Sequence, residues 1–152
     1  MGLDEFLQKD LRQLKTPMKN AGEVLFVLSG DNLDPNEITQ FLGIKPTSTS
    51  QILTPSLIKN SWKLSTGEIT ADIIDVYDMS STVVGRLQQY ADKIAEIKNR
   101  LSLKAVLQVV LWISTDDKIP TPAIGFESEV IAFLNRIGAS IDIDTYRNHE
   151  EE

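Results

Sequence analysis

Glu23-Val24-Leu25-Phe26-Val27-Leu28-Ser29 runs directly into Gly30-Asp31-Asn32-Leu33-Asp34-Pro35-Asn36-Glu37-Ile38. The first seven residues hold an unbroken apolar stretch from Val24 to Leu28 and read as a strand buried on both faces. Gly30-Asp31-Asn32 turns the chain. Helix-start signals then converge on one position. Asp34 is an N-cap, Pro35 fits the first helical residue, and Glu37 completes a capping box. Leu33 and Ile38 flank the cap as a hydrophobic staple. Gly43 offers a left-handed C-cap, and Pro46 keeps the helix from resuming. A strand followed at once by a capped helix selects a fold with both element types interleaved.

The pattern continues on either side. Upstream, Leu3, Phe6, Leu7, Leu11 and Leu14 recur at helical spacing and predict an amphipathic helix over Leu3–Leu14, with a linker to residue 20. Such a stripe either docks on the domain or joins a second copy of the chain. Downstream, residues 45–60 read as a Ser/Thr/Pro loop. Ser61–Ser65 alternates and puts Trp62 and Leu64 on one face of a strand. A weaker strand is expected around Ala71–Val76. Ser80 or Ser81 would cap one long helix to about Leu101. Ala105–Ser114 reads as a second buried strand containing Trp112, and Ala123–Phe126 as a short strand that would form a hairpin with it. Ser128–Ile137 is a helix closed by Gly138. Ser140–Tyr146 alternates strictly, with Ile141, Ile143 and Thr145 on one face and Asp142, Asp144 and Tyr146 on the other.

The expectation is an α+β fold: a mixed, mostly antiparallel sheet with helices packed on one face, partly ferredoxin-like, plus an N-terminal helix. One domain spans 1–152. It divides into the helix and linker of 1–20, an α+β core over 23–147 and a disordered acidic tail over 148–152.

Composition bounds the chemistry. The 152 residues contain no cysteine, so disulfides, thiolate metal sites and cysteine nucleophiles are excluded. The net charge of −7 argues against a nucleic-acid partner, which calls for a basic surface. The N-terminus has acidic residues where a signal peptide needs basic ones, and Val109–Ile113 is too short an apolar run to cross a bilayer. A cytoplasmic location without membrane attachment is expected.

No catalytic constellation emerges, and no cofactor is implied. The only histidine is His149, close to the C-terminus. No phosphate-binding glycine motif and no G-x-S-x-G elbow occurs. Asn32, Asp34 and Asn36 fall in an EF-hand register, but Glu37 and Gly43 occupy the places of its glycine and bidentate glutamate. The remaining candidates are Asp142 and Asp144, two carboxylates about 6–7 Å apart on one strand face. They suit a hard cation, an acid–base pair, or simple protection of a sheet edge. Trp62 is a candidate anchor for a partner if its indole is partly exposed.

Several segments together resemble a bacterial family catalogued as a domain of unknown function, number four-two-seven-nine. They are Gly30–Thr39, Leu42–Thr47, Ser61–Ser65 and Gly138–Tyr146, and the resemblance spans about residues 23–147. It implies a small cytoplasmic α+β domain and carries no activity with it. It marks Asp31, Trp62, Asp142, Asp144 and Tyr146 as pattern positions, of which Trp62, Asp31 and Tyr146 are the candidates for an interaction surface. Three functions compete. The first is a non-enzymatic interaction protein, for example an immunity-type protein that masks a basic partner; seven acidic residues stand against two basic ones from Glu127 to Glu152. The second is a metal-dependent enzyme or ligand binder built on Asp142 and Asp144. The third is a homo-oligomeric structural protein joined through the Leu3–Leu14 helix.

Overall fold

The computed structural model describes residues 18–54 and 57–148. The expected Leu3–Leu14 helix and the tail beyond Asn148, with His149, lie outside the described residues. Strand β1 (Asn20–Gly30) is followed by helix α1 (Pro35–Leu42), strands β2 (Ser48–Thr54), β3 (Leu57–Ser65) and β4 (Ile69–Ala71), and helix α2 (Val76–Leu87). A 3-10 turn at Gln88–Tyr90 leads into helix α3 (Ala91–Leu101). Strand β5 (Lys104–Ser114), helix α4 (Ser128–Ile137) and strand β6 (Ser140–Asn148) complete the order.

The strands form one sheet in the order β2-β3-β1-β5-β6, and β4 pairs with the start of β1. Every pairing is antiparallel except β5 with β6, which α4 joins as a parallel crossover. This is the expected mixed, mostly antiparallel sheet with helices on one face.

Alternation along the strands sets the layers. In β1, Val24, Phe26 and Leu28 are fully buried, while Glu23, Leu25, Val27 and Ser29 are only half-buried. In β5, Ala105, Leu107, Val109 and Leu111 point into the core. The register places Phe26 beside Leu107 and Leu64, and Leu28 beside Trp62. Helices α1 to α4 cover that side with Ile38, Leu87, Ile94 and Phe133, and Phe133 meets Phe26 edge-on with ring centroids 6.2 Å apart. Each fully buried aliphatic or aromatic side chain of this kind contributes about 1.5–3 kcal/mol.

Most α1 signals appear, but the capping box does not, because the Glu37 carboxylate turns to Arg100 instead of the Asp34 N–H. Asp34 accepts the N–H of Asn36 at 3.0 Å, Pro35 begins the helix, and Gly43 closes it at φ 78°. Glu37 lies 3.4 Å from the Arg100 guanidinium, which also sits 5.1 Å above the Phe41 ring.

Several expectations are corrected. β1 and β5 are buried on one face only, because no second layer among the described residues covers the other. The supposed loop 45–60 holds β2 and the start of β3; β2 is a sheet edge, and its polar Ser48-Thr49-Ser50 is compatible with that position. The hairpin is therefore β2–β3. Ala123 makes only an isolated bridge to Asp75. The long helix begins earlier, at Val76, because Asp75 rather than Ser80 caps it by accepting the N–H of Tyr77 at 3.0 Å. Ser80 lies inside α2, fully buried, and donates to the Val76 carbonyl at 2.6 Å. That helix also breaks at Gln88–Tyr90 rather than running on to Leu101.

Candidate functional site: the uncovered sheet face and its β6 margin

Because directly paired residues share a face, the register defines the second side of the sheet. Leu25, Val27, Val106 and Val110 lie at its centre on β1 and β5. Lys63 on β3 pairs with Val27, and Lys104 on β5 pairs with Ser29. On the other side of β5, Gln108 stands beside Asp142, Val110 beside Asp144, and Trp112 beside Tyr146. This face has a mainly apolar centre into which Glu23 and Gln108 intrude, lysines toward one end, and carboxylates along β6 beside an aromatic pair shared by β5 and β6.

Trp112 and Tyr146 stack with centroids 6.0 Å apart and planes 23° apart. Trp112, expected to be core, is half-buried here because even-numbered β5 residues face away from the helices. Tyr146 is 53% exposed. The Gln108 amide donates to Asp144 Oδ2 at 3.2 Å, so Asp144 is oriented across the β5–β6 boundary. Asp142 borders a shallow concavity of about 290 Å³. Val27 and Val106 help line it, with Ser29, Ser61, Lys63 and Lys104 around it. Ser50 and Ser61 hydrogen-bond through their hydroxyls at its far wall.

The other face of β6 is also unusual. Ile141 and Ile143 follow the core-facing register, opposite Leu107 and Val109, yet remain 39% and 41% exposed. Among the described residues no strand pairs with the outer side of β6.

The remaining candidates separate. Trp62 is fully buried and donates its indole N–H to Thr39 Oγ1 at 3.1 Å, so it is a core residue and offers no surface to a partner. Asp31 is exposed in the turn after β1, at the Lys104 end of the sheet, far along it from Tyr146. Asp142 and Asp144 share the uncovered face as expected. Among the described residues no three His, Cys, Asp or Glu side chains converge to hold a metal ion. Nor is any described helix long and apolar enough to cross a membrane. Reading the sequence missed Trp112, Gln108, Lys63 and Lys104. The usable signal was alternation in Lys104-Ala105-Val106-Leu107-Gln108, where two polar residues interrupt an apolar run at even positions.

Fold and surface together define an α+β domain with one helix-covered sheet face and one that no described residue covers. The chain belongs to the family described as Domain of unknown function (DUF4279), whose model matches residues 19–148. No curated protein matches the chain. No solved structure matches it either.

Proposed function

We propose that this protein is a non-enzymatic interaction domain of the cytoplasm that engages a basic protein partner through its open sheet face and acidic β6 margin. One observation carries the reading: the sheet face left open among the described residues presents large half-buried apolar side chains at its centre, where an antiparallel sheet with one solvated face ordinarily places polar ones. Leu25, Val27, Val110 and Trp112 gain from being covered. Asp142 and Asp144 favour a cationic cover and would raise its association rate. Immunity-type masking of a basic toxin is the narrower form of this reading.

Affinity capture of the full chain from its native host, beside the Asp142→Asn/Asp144→Asn/Tyr146→Ala variant, tests it. A stoichiometric basic protein held by the natural chain and lost by the variant is the expected result. An acidic partner, or one that the variant retains equally, would overturn it.

The concavity favours a second reading, as a ligand binder that uses Asp142. Two lysines, serine hydroxyls and one carboxylate around an apolar floor suit a small zwitterion or anion. A thermal shift with free amino acids or phosphate that disappears in Lys63→Ala/Lys104→Ala would support it; no shift with either would remove it.

A further inference from the structure

We infer that β6 is a docking edge for an extended basic segment of a partner protein, which adds to the sheet as its next strand. The inference rests on the basic-partner reading and specifies how such a partner would bind. β6 is nine residues long, ends the sheet, and has no outer neighbour among the described residues. An edge of this length presents a row of backbone donors and acceptors that can template another strand.

Its side chains define the strand that fits. On the open face an incoming strand meets Asp142 and Asp144, then Tyr146. On the helix-covered side it meets Ile141 and Ile143, both well exposed. Residues of a β-strand alternate between faces. The complementary segment therefore alternates cationic and apolar residues, Lys or Arg over the carboxylates and an aliphatic side chain over each isoleucine.

The same residues oppose a second copy of this chain as occupant. Antiparallel self-pairing centred on Ile143 sets Asp142 against Asp144 of the other copy, twice. Centring on Asp142 or Asp144 sets a carboxylate against itself. Like charges directly opposite one another destabilise a strand pair. Self-pairing in these registers, which set carboxylate against carboxylate, is thus disfavoured, whereas a basic strand meets the same carboxylates favourably.

A synthetic octapeptide alternating lysine and valine is the probe, titrated calorimetrically into the full chain at low salt, with amide hydrogen exchange recorded over 140–148. Its controls are the same peptide N-methylated throughout its backbone and a glutamate–valine octapeptide. The expected result is saturable one-to-one binding that slows exchange in β6. N-methylation weakens it roughly tenfold or more, because the charges remain and the backbone ladder is lost. Asp142→Asn/Asp144→Asn, checked for an unchanged fold by circular dichroism, weakens it by a similar factor. Equal binding of the methylated and parent peptides, or exchange protection elsewhere than β6, would overturn strand addition and leave the basic-partner reading standing. Absence of binding by either basic peptide would overturn both.

Discussion

Asn20 Oδ1 accepts the backbone N–H of Ser114 at 2.8 Å, tying the first residue of β1 to the last of β5. The amide of the same side chain donates to the carbonyls of Asp72 at 3.0 Å and Pro120 at 2.7 Å. One fully buried side chain thereby satisfies backbone groups from three separate segments. Asn20→Leu keeps much of the volume and strands all three partners. The expected loss is about 2–4 kcal/mol, since an unpaired buried polar group costs its full desolvation. Urea unfolding measures it; a loss below about 0.5 kcal/mol, the size of an ordinary surface change, would mean that the three partners find water instead.

Trp62 and Thr39 form a second, part-buried relay. The indole donates to Thr39 Oγ1 at 3.1 Å, and that hydroxyl donates to the Pro35 carbonyl at 3.0 Å. Thr39→Val preserves the shape and leaves the indole N–H unpaired, with an expected cost of about 1–3 kcal/mol. Thr39→Ser keeps the hydroxyl and is expected to recover most of that difference. If both variants unfold at the same denaturant concentration, the hydroxyl has no energetic role.

These contacts also explain how far the sequence could be read. α1 was legible because its cap, first-turn proline, staple and closing glycine are all local signals. α4 and β6 were legible for the same reason, one from helical spacing closed by Gly138, the other from strict alternation. β2 was hidden because the signs that place it, an antiparallel register from Ser48↔Lys63 to Thr54↔Leu57, are tertiary. The α2 start was misread because Ser80 and Asp75 are both plausible caps, and only the fold shows that Ser80 is bonded within the helix. For the site, Asp142, Asp144 and Tyr146 were legible as one strand face. The partners that give that face its meaning, Gln108 and Trp112, sit on β5 and become neighbours only through the parallel β5–β6 register.

Glycine substitutions separate two backbone demands. Gly43 lies at φ 78° with open space around its missing Cβ, so Gly43→Ala suffers only the left-handed conformation, about 1–2 kcal/mol. Gly85 lies within α2, exposed, and nothing approaches the site of its Cβ within 4 Å. Gly85→Ala is therefore expected to stabilise by about 0.4–1 kcal/mol through reduced freedom of the unfolded chain. Thermal unfolding of the two variants should move in opposite directions; a shift of the same sign would contradict one of the two backbone assignments.

The Gln108–Asp144 hydrogen bond gives a last prediction about recognition. Asp144 is held on the open face by an uncharged neighbour, so its charge remains available to a cationic partner while its side chain is already oriented. Gln108→Leu removes the tether and leaves both carboxylates in place. Association of the lysine–valine octapeptide should then weaken only a few-fold, since a single hydrogen bond is worth about 0.5–1.5 kcal/mol. Its salt dependence should persist. Asp142→Asn/Asp144→Asn should do the converse and flatten the dependence, because screening shortens from about 30 Å at 0.01 M to about 8 Å at 0.15 M salt only for interactions between charges. Association rates measured across that salt range distinguish the two variants. A salt slope unchanged in the double variant would assign the electrostatic attraction to carboxylates other than these two.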